Sequence, residues 1–182
     1  MLKIVTVPNN ILNSLTKPVA IIDDEIKKIV SDMEKVLVAQ NDPPGVGLAA
    51  NQVGLDISIF IMKASEKSKT KIFINPKIIK LGASDIERKR KDPTKKKRAK
   101  IKLEGCLSIP RIWGPVKRKD RVFLKYQDIN GKEYLKWFTG FESIIIQHEM
   151  DHLNGVVFTQ RSLEQKGQLY REENDELIKI EY

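Results

Sequence analysis

Thr139-Gly140-Phe141-Glu142-Ser143-Ile144-Ile145-Ile146-Gln147-His148-Glu149-Met150-Asp151-His152-Leu153-Asn154-Gly155 reads as one buried helix that carries ionisable groups. Thr139 and Glu142 have the spacing of a capping box, which starts the helix there. Ile144, Ile145, Ile146, Met150 and Leu153 make it apolar around much of its circumference, and Asn154-Gly155 supplies a left-handed stop. A helix apolar on most sides is buried, so two histidines, a glutamate and an aspartate on it need hydrogen bonds or a metal. His148 and His152 are the only histidines in the chain. At i and i+4 they share a face and can reach one ion, and His-Glu-x-x-His is a zinc-hydrolase signature in which the glutamate is the general base.

A catalytic ion of this kind takes three protein ligands and keeps one position open. No third histidine exists. The single cysteine, Cys106, in Glu104-Gly105-Cys106-Leu107-Ser108, is the natural candidate, because a thiolate binds first-row ions strongly. A lone cysteine is otherwise a small buried hydrophobe, so the assignment leans on the helix.

The third segment is Gly45-Val46-Gly47-Leu48-Ala49-Ala50-Asn51-Gln52-Val53-Gly54. Its glycines permit a tight turn and close approach by a ligand or a strand. The spacing matches neither the dinucleotide fingerprint nor the phosphate loop. Taken alone it reads as a turn followed by small-residue packing.

Together and in this order, the three segments resemble the motifs of peptide deformylase: Gly-x-Gly-x-Ala-Ala-x-Gln, Glu-Gly-Cys-x-Ser and His-Glu-x-x-Asp-His. The likeness runs from about residue 3 to residue 165. It implies that Cys106, His148 and His152 hold one divalent metal, usually Fe2+, with Zn2+, Ni2+ or Co2+ able to substitute. It implies that Glu149 is the catalytic acid and base, and that Gln52 and the Leu107 amide stabilise an oxyanion. It places Val46, Gly47, Phe141 and Ile144 around the substrate. The activity so implied is removal of the formyl group from the initiator methionine of nascent chains, by attack of a metal-bound hydroxide and release of formate.

One stretch departs from the family pattern. Residues Arg88 to Lys102 hold ten lysines and arginines against Asp92 alone, a local charge of +9 that equals the net charge of the whole chain. Such a run repels itself and is expected to be a flexible basic insertion. For an enzyme of nascent chains, ribosomal RNA is the polyanion it would meet.

The rest of the sequence suits a single catalytic domain over residues 1–182. Asp23 caps a first helix in which Ile26, Ile29, Val30, Met33, Val36 and Leu37 fall at helical spacing. Ile57 to Ile61 and Lys71 to Leu81 read as strands. Asn130-Gly131 between Arg121–Gln127 and Lys132–Phe138 predicts a hairpin with a primed turn. Ser162 to Ile180 reads as a closing helix. The expected fold is α+β, with antiparallel sheets packed around the central motif helix and helices at both ends. No signal peptide or membrane span is read at the N-terminus, and one cysteine suits a reducing cytoplasm. Oligomeric state is not specified by the sequence.

Three rival readings frame the tests, one of them a deformylase relative that has lost activity, although no motif position required for the chemistry is missing. A zinc endopeptidase would take a downstream carboxylate, best Glu172, as third ligand and would not need Cys106. An RNA-binding protein with a structural metal would leave Glu149 and Gln52 without a task.

Overall fold

The structure, a computed structural model, describes residues 2–41, 44–85 and 103–181. The basic run 88–102 lies outside the described residues.

The centre is a strand buried on both faces. β2 (Ile59–Met62) is fully apolar, and its side chains alternate between two cores. Strands covered on both sides read as continuous hydrophobic runs rather than as alternations, which explains Ile-Phe-Ile-Met. Ile59 and Ile61 face α1 (Asp24–Val38), packing with Val30, Met33 and Leu37. Phe60 and Met62 face α2 (Gly140–Leu153), packing with Ile145, Ile146, Met150 and Leu153. Phe60 stacks on Phe73, with ring centroids 4.4 Å apart, at the heart of the second core. Truncating such a buried aromatic to alanine costs about 3–5 kcal/mol.

β2 sits in a five-stranded antiparallel sheet ordered β1-β2-β3-β6-β7, formed by β1 (Gly47–Ala49), β2, β3 (Lys71–Leu81), β6 (Arg121–Gln127) and β7 (Glu133–Thr139). A second sheet, ordered β4-β5-β8-β9, contains β4 (Glu104–Cys106), β5 (Ile109–Gly114), β8 (Tyr170–Glu173) and β9 (Glu176–Lys179). The glycine segment therefore edges one sheet, the cysteine lies in the other, and α2 carries the histidines to their junction. The architecture is α+β, as the sequence predicts.

Several details differ from the sequence reading, the start of β2 at Ile59 rather than Ile57 among them. Residues 162–180 do not form a closing helix. Helical structure there is confined to α3 (Phe158–Glu164), and β8 and β9 make a hairpin. Its turn residues, Asn174 and Asp175, both adopt positive φ, the primed-turn geometry that matches strand twist. The 121–139 hairpin forms, but its turn is not primed. Gly131 alone is left-handed, with its N–H donating to Asp128 O and the Asp128 N–H donating to Lys132 O. This longer loop lets the Asp128 carboxylate accept from the Asn130 and Lys132 amides. At the start of α2, Thr139 occupies the cap position, but its side chain makes no capping bond, and the Glu142 carboxylate pairs with Lys71 rather than reaching back to residue 139. The stop is as read: Gly155 is left-handed and donates to His152 O. The first helix is capped by Asp23, which accepts from the Ile26 N–H.

Candidate active site

α2 delivers three groups to one place because its spacing aligns residues 148, 149 and 152 toward the sheet junction. Cys106 arrives from the end of β4, where a tight turn leads into β5 with Cys106 opposite Ile109. The ligating atoms of Cys106, His148 and His152 all lie within 4.8 Å of one another. Cys106 Sγ is 3.1 Å from His152 Nε2, and the cysteine is 9 % exposed.

The imidazoles are not equivalent. Burial depresses both. In His152 burial prevails, reinforced by repulsion from His148 and Arg118, so the ring is held neutral. In His148, hydrogen bonds with Cys106 and Glu104 outweigh burial and raise its pKa well above the usual histidine value. Its Nδ1–H donates to Glu104 Oε2 at 3.1 Å, which turns Nε2 toward the cluster.

Behind Glu104 stands a network that sequence reasoning did not single out. Arg118 grips Glu104 with two parallel hydrogen bonds of 2.9 Å and reaches Asp151 at 2.6 Å. Asp151 also accepts from Arg161. Burial would raise the Glu104 pKa, but hydrogen bonds from His148 and Arg118 outweigh it and hold the carboxyl at about 2. The requirement for partners was visible in Asp151 on a buried helix. Arg118 was not, because it sits in the charged run Lys117 to Arg121 and looks like surface.

Glu149 is 3 % exposed, and its Oε2 has no hydrogen-bond partner among the described residues. Burial dominates and lifts its pKa to about 7, with attraction from His148 and Arg118 opposing. A carboxyl tuned near neutrality can both take and return a proton.

Gln52 lies in a 3-10 turn, Ala50–Val53, directly after β1. Its Oε1 accepts the Ala49 N–H at 2.8 Å, which fixes which end of the amide faces the site. The Nε2 end therefore points at Cys106 Sγ, 3.4 Å away, and at Ser108 Oγ, 3.3 Å away. The same turn is tied to the end of α2, where Asn51 donates to the His152 carbonyl.

These groups line one cleft of about 900 Å3, with Gln52, Cys106, Leu107, His148 and Glu149 on its wall. Val46, Gly47, Phe141 and Ile144 line the same cleft. Phe141 is half exposed at its mouth. His152 is 1 % exposed, behind this surface. Glu172, the alternative third ligand, is on β8 rather than on a helix; it accepts from Trp113 Nε1 at 2.7 Å and is not one of the clustered donors. The donor chemistry fits a divalent first-row ion: one thiolate and two imidazoles converge beside a buried carboxylate oxygen that lacks a protein partner.

Known proteins similar to this chain fall in one family. A family model described as polypeptide deformylase matches residues 1–168. Peptide deformylase 1 of Ralstonia nicotianae is 37% identical over 161 residues, 88% of this chain and 85% of that protein. Peptide deformylase of Borreliella burgdorferi is 37% identical over 157 residues, 86% of this chain and 85% of that protein. Among solved structures, a Plasmodium falciparum peptide deformylase superposes with a TM-score of 0.75 at 35% identity, covering 90% of this chain and 89% of that one. The Thermotoga maritima peptide deformylase gives 0.74 at 30% identity, covering 88% and 97%.

Fold and comparisons together define a hydrolase built on two antiparallel sheets and a motif helix. The chain belongs to the polypeptide deformylase family. That membership supports removal of the formyl group from nascent peptides. No helix among the described residues is long and apolar enough to cross a membrane.

Proposed function

We propose that this chain hydrolyses the N-formyl group of formyl-methionyl nascent peptides with a divalent ion, Fe2+ in the cell, held by Cys106, His148 and His152. The observation that carries the reading is the convergence of these three donors beside the buried Glu149, with the amide of Gln52 aimed at the same point. A divalent ion so held would acidify a water and polarise the formyl oxygen.

The chain's own groups supply the rest. Glu149 takes the proton of the attacking water and later delivers it to the departing amine nitrogen, a transfer its near-neutral pKa suits. Negative charge gathers on the formyl oxygen as the carbon becomes tetrahedral. Gln52 Nε2 and the Leu107 N–H donate to it, each such donor typically worth about 3 kcal/mol of barrier. Glu104 keeps His148 oriented, and Arg118 keeps Glu104 ionised.

Val46, Gly47, Phe141 and Ile144 are read as the methionine side of the cleft, where three apolar side chains suit a thioether. β1 is the edge strand of its sheet, so an extended peptide can add beside it and be held through its backbone whatever its sequence. The reading also carries a single catalytic domain and a cytoplasmic setting. The basic sequence 88–102 is assigned to ribosomal RNA through its +9 charge.

The discriminating test is metal stoichiometry and formate release in Cys106→Ser and Glu172→Ala proteins. The deformylase reading requires Cys106→Ser to lose tight metal binding and activity while Glu172→Ala keeps both. The reverse pattern supports the endopeptidase reading and overturns this one.

A further inference from the structure

The face of the large sheet that packs on α1 is covered only in part. α1 shields Leu48, Ile59, Ile61 and Ile74, but beyond Ile74 the same face continues over β6 and β7 toward solvent. Register and alternation put Lys77 and Lys80 of β3, Arg121, Phe123 and Lys125 of β6, and Leu135 and Trp137 of β7 on it. Val122, Leu124 and Phe138 point the other way, into the core.

This surface combines two features. It is cationic: Lys77, Lys80, Arg121 and Lys125 stand against Glu133, which pairs with Lys125 at 3.0 Å. Arg121, Lys77 and Lys80 have no carboxylate partner among the described residues. It is also aromatic and apolar: Leu135 is 55 % and Trp137 39 % exposed, and Phe123, directly across from Trp137, lies 5.0 Å from it. The Arg121 guanidinium lies over the indole, 4.9 Å from its centroid, which frees its N–H edges for an anion.

The register adds an independent sign. Lys77 and Lys125 are direct cross-strand partners on this face. Like charges opposite one another are unfavourable in a sheet; Glu133 offsets Lys125 alone, which leaves the charge of Lys77 available to an anion. In the sequence, positions 88–102, with their charge of +9, begin seven residues beyond Leu81.

We propose that this face binds unpaired RNA, with bases on Phe123, Trp137 and Leu135 and phosphates on Arg121, Lys77, Lys80 and Lys125. Flat aromatic surface interleaved with cations takes single strands of any sequence, because every base has a π-face. The face lies across the sheet from α2, so binding leaves the cleft open. The choice of RNA over DNA rests on the nascent-chain reading of the active site; the face itself does not depend on that reading.

The test is fluorescence anisotropy of a labelled, unstructured 12-nucleotide RNA with the full chain, beside the DNA of the same sequence and the matching RNA duplex. Single-stranded RNA binds best. Arg121→Glu and Trp137→Ala each lower affinity at least tenfold, with Trp137→Phe keeping most of it. Lys77→Glu lowers affinity and flattens the salt dependence. Formate release from a short formyl-peptide is unchanged in all four, so failure of the RNA proposal and failure of the deformylase reading show separately. Unchanged RNA affinity in Arg121→Glu and Trp137→Ala overturns the proposal. Equal binding of DNA overturns the choice of RNA. Loss of phosphatidylserine-vesicle binding or of self-association, in place of RNA binding, assigns the face elsewhere and overturns it too.

Discussion

The carboxylate of Glu149 lies directly against the α-carbon of Gly47: a β-carbon at position 47 would stand 2.8 Å from Glu149 Cδ and 2.9 Å from Ile145 Cγ2. β1 and α2 are thus packed so closely that only glycine fits between them. The need for glycine is steric, since the backbone there is ordinary strand. Gly47→Ala should displace the Glu149 carboxylate and lower the rate of formate release by about 10²-fold or more, the range typical for losing a positioned acid–base group. Metal content, measured on the same sample, should be unchanged.

Gln52 is oriented by a backbone donor rather than by the substrate. Gln52→Ala should therefore lower kcat by about 10²–10³-fold with little change in KM, as expected for a donor that acts on developing charge. Steady-state kinetics on a formyl-methionyl tripeptide check this. A rise in KM with kcat intact would reassign Gln52 to substrate binding.

Glu104 connects His148 to Arg118. Glu104→Ala should weaken metal binding by about 10–100-fold, read by competition with a chelator, because the outer hydrogen bond that orients the imidazole is gone. It should also destabilise the fold by about 3–5 kcal/mol, because Arg118 is left buried with half its partners. Arg118→Met combined with Glu104→Gln should recover much of that stability without recovering metal affinity.

Acid sensitivity follows from the same carboxyl. Glu104 is held at about 2 in the folded chain against an ordinary value of 4.5, so the folded state binds its proton less readily than the unfolded one. Its contribution is complete above pH 4.5 and is lost as pH falls toward 2. Glu149 works in the opposite sense: raised to about 7 by burial, it makes the metal-free protein less stable as pH climbs from 4.5 to 7. Urea midpoints of metal-free protein should fall on both sides of an optimum, with Glu104→Gln making the acid limb shallower and Glu149→Gln the limb toward neutrality, His152 and His148 supplying the remainder of each.

Where periodicity and burial coincided, the sequence was readable. α2 declared itself by apolar residues on all sides and by ionisable groups that such a helix cannot leave unpaired, and α1 by its Asp23 cap and one apolar stripe. The start of β2 was misjudged by two residues because Ile57 pairs with Lys17 outside the sheet, and apolarity alone cannot distinguish the two environments. The C-terminal hairpin was hidden by composition: glutamates, lysines and leucines favour helix, and the deciding signal was the short pair Asn174-Asp175, both able to adopt positive φ. Cys106, His148, His152, Glu149 and Gln52 stand out in the sequence because they fall in an ordered set of motifs, and the fold brings them together. Arg118 and Arg161 were not, since only the folded chain shows that two arginines from charged stretches turn inward to Asp151.

The most direct test of the central claim is formate release from a formyl-methionyl tripeptide by protein prepared without oxygen, with metal analysis of the same sample and of Glu149→Ala. The account predicts about one divalent ion per chain in both proteins, rapid release by the wild type, and near-complete loss in the variant. Absence of release from wild-type protein that carries its full complement of metal would contradict it.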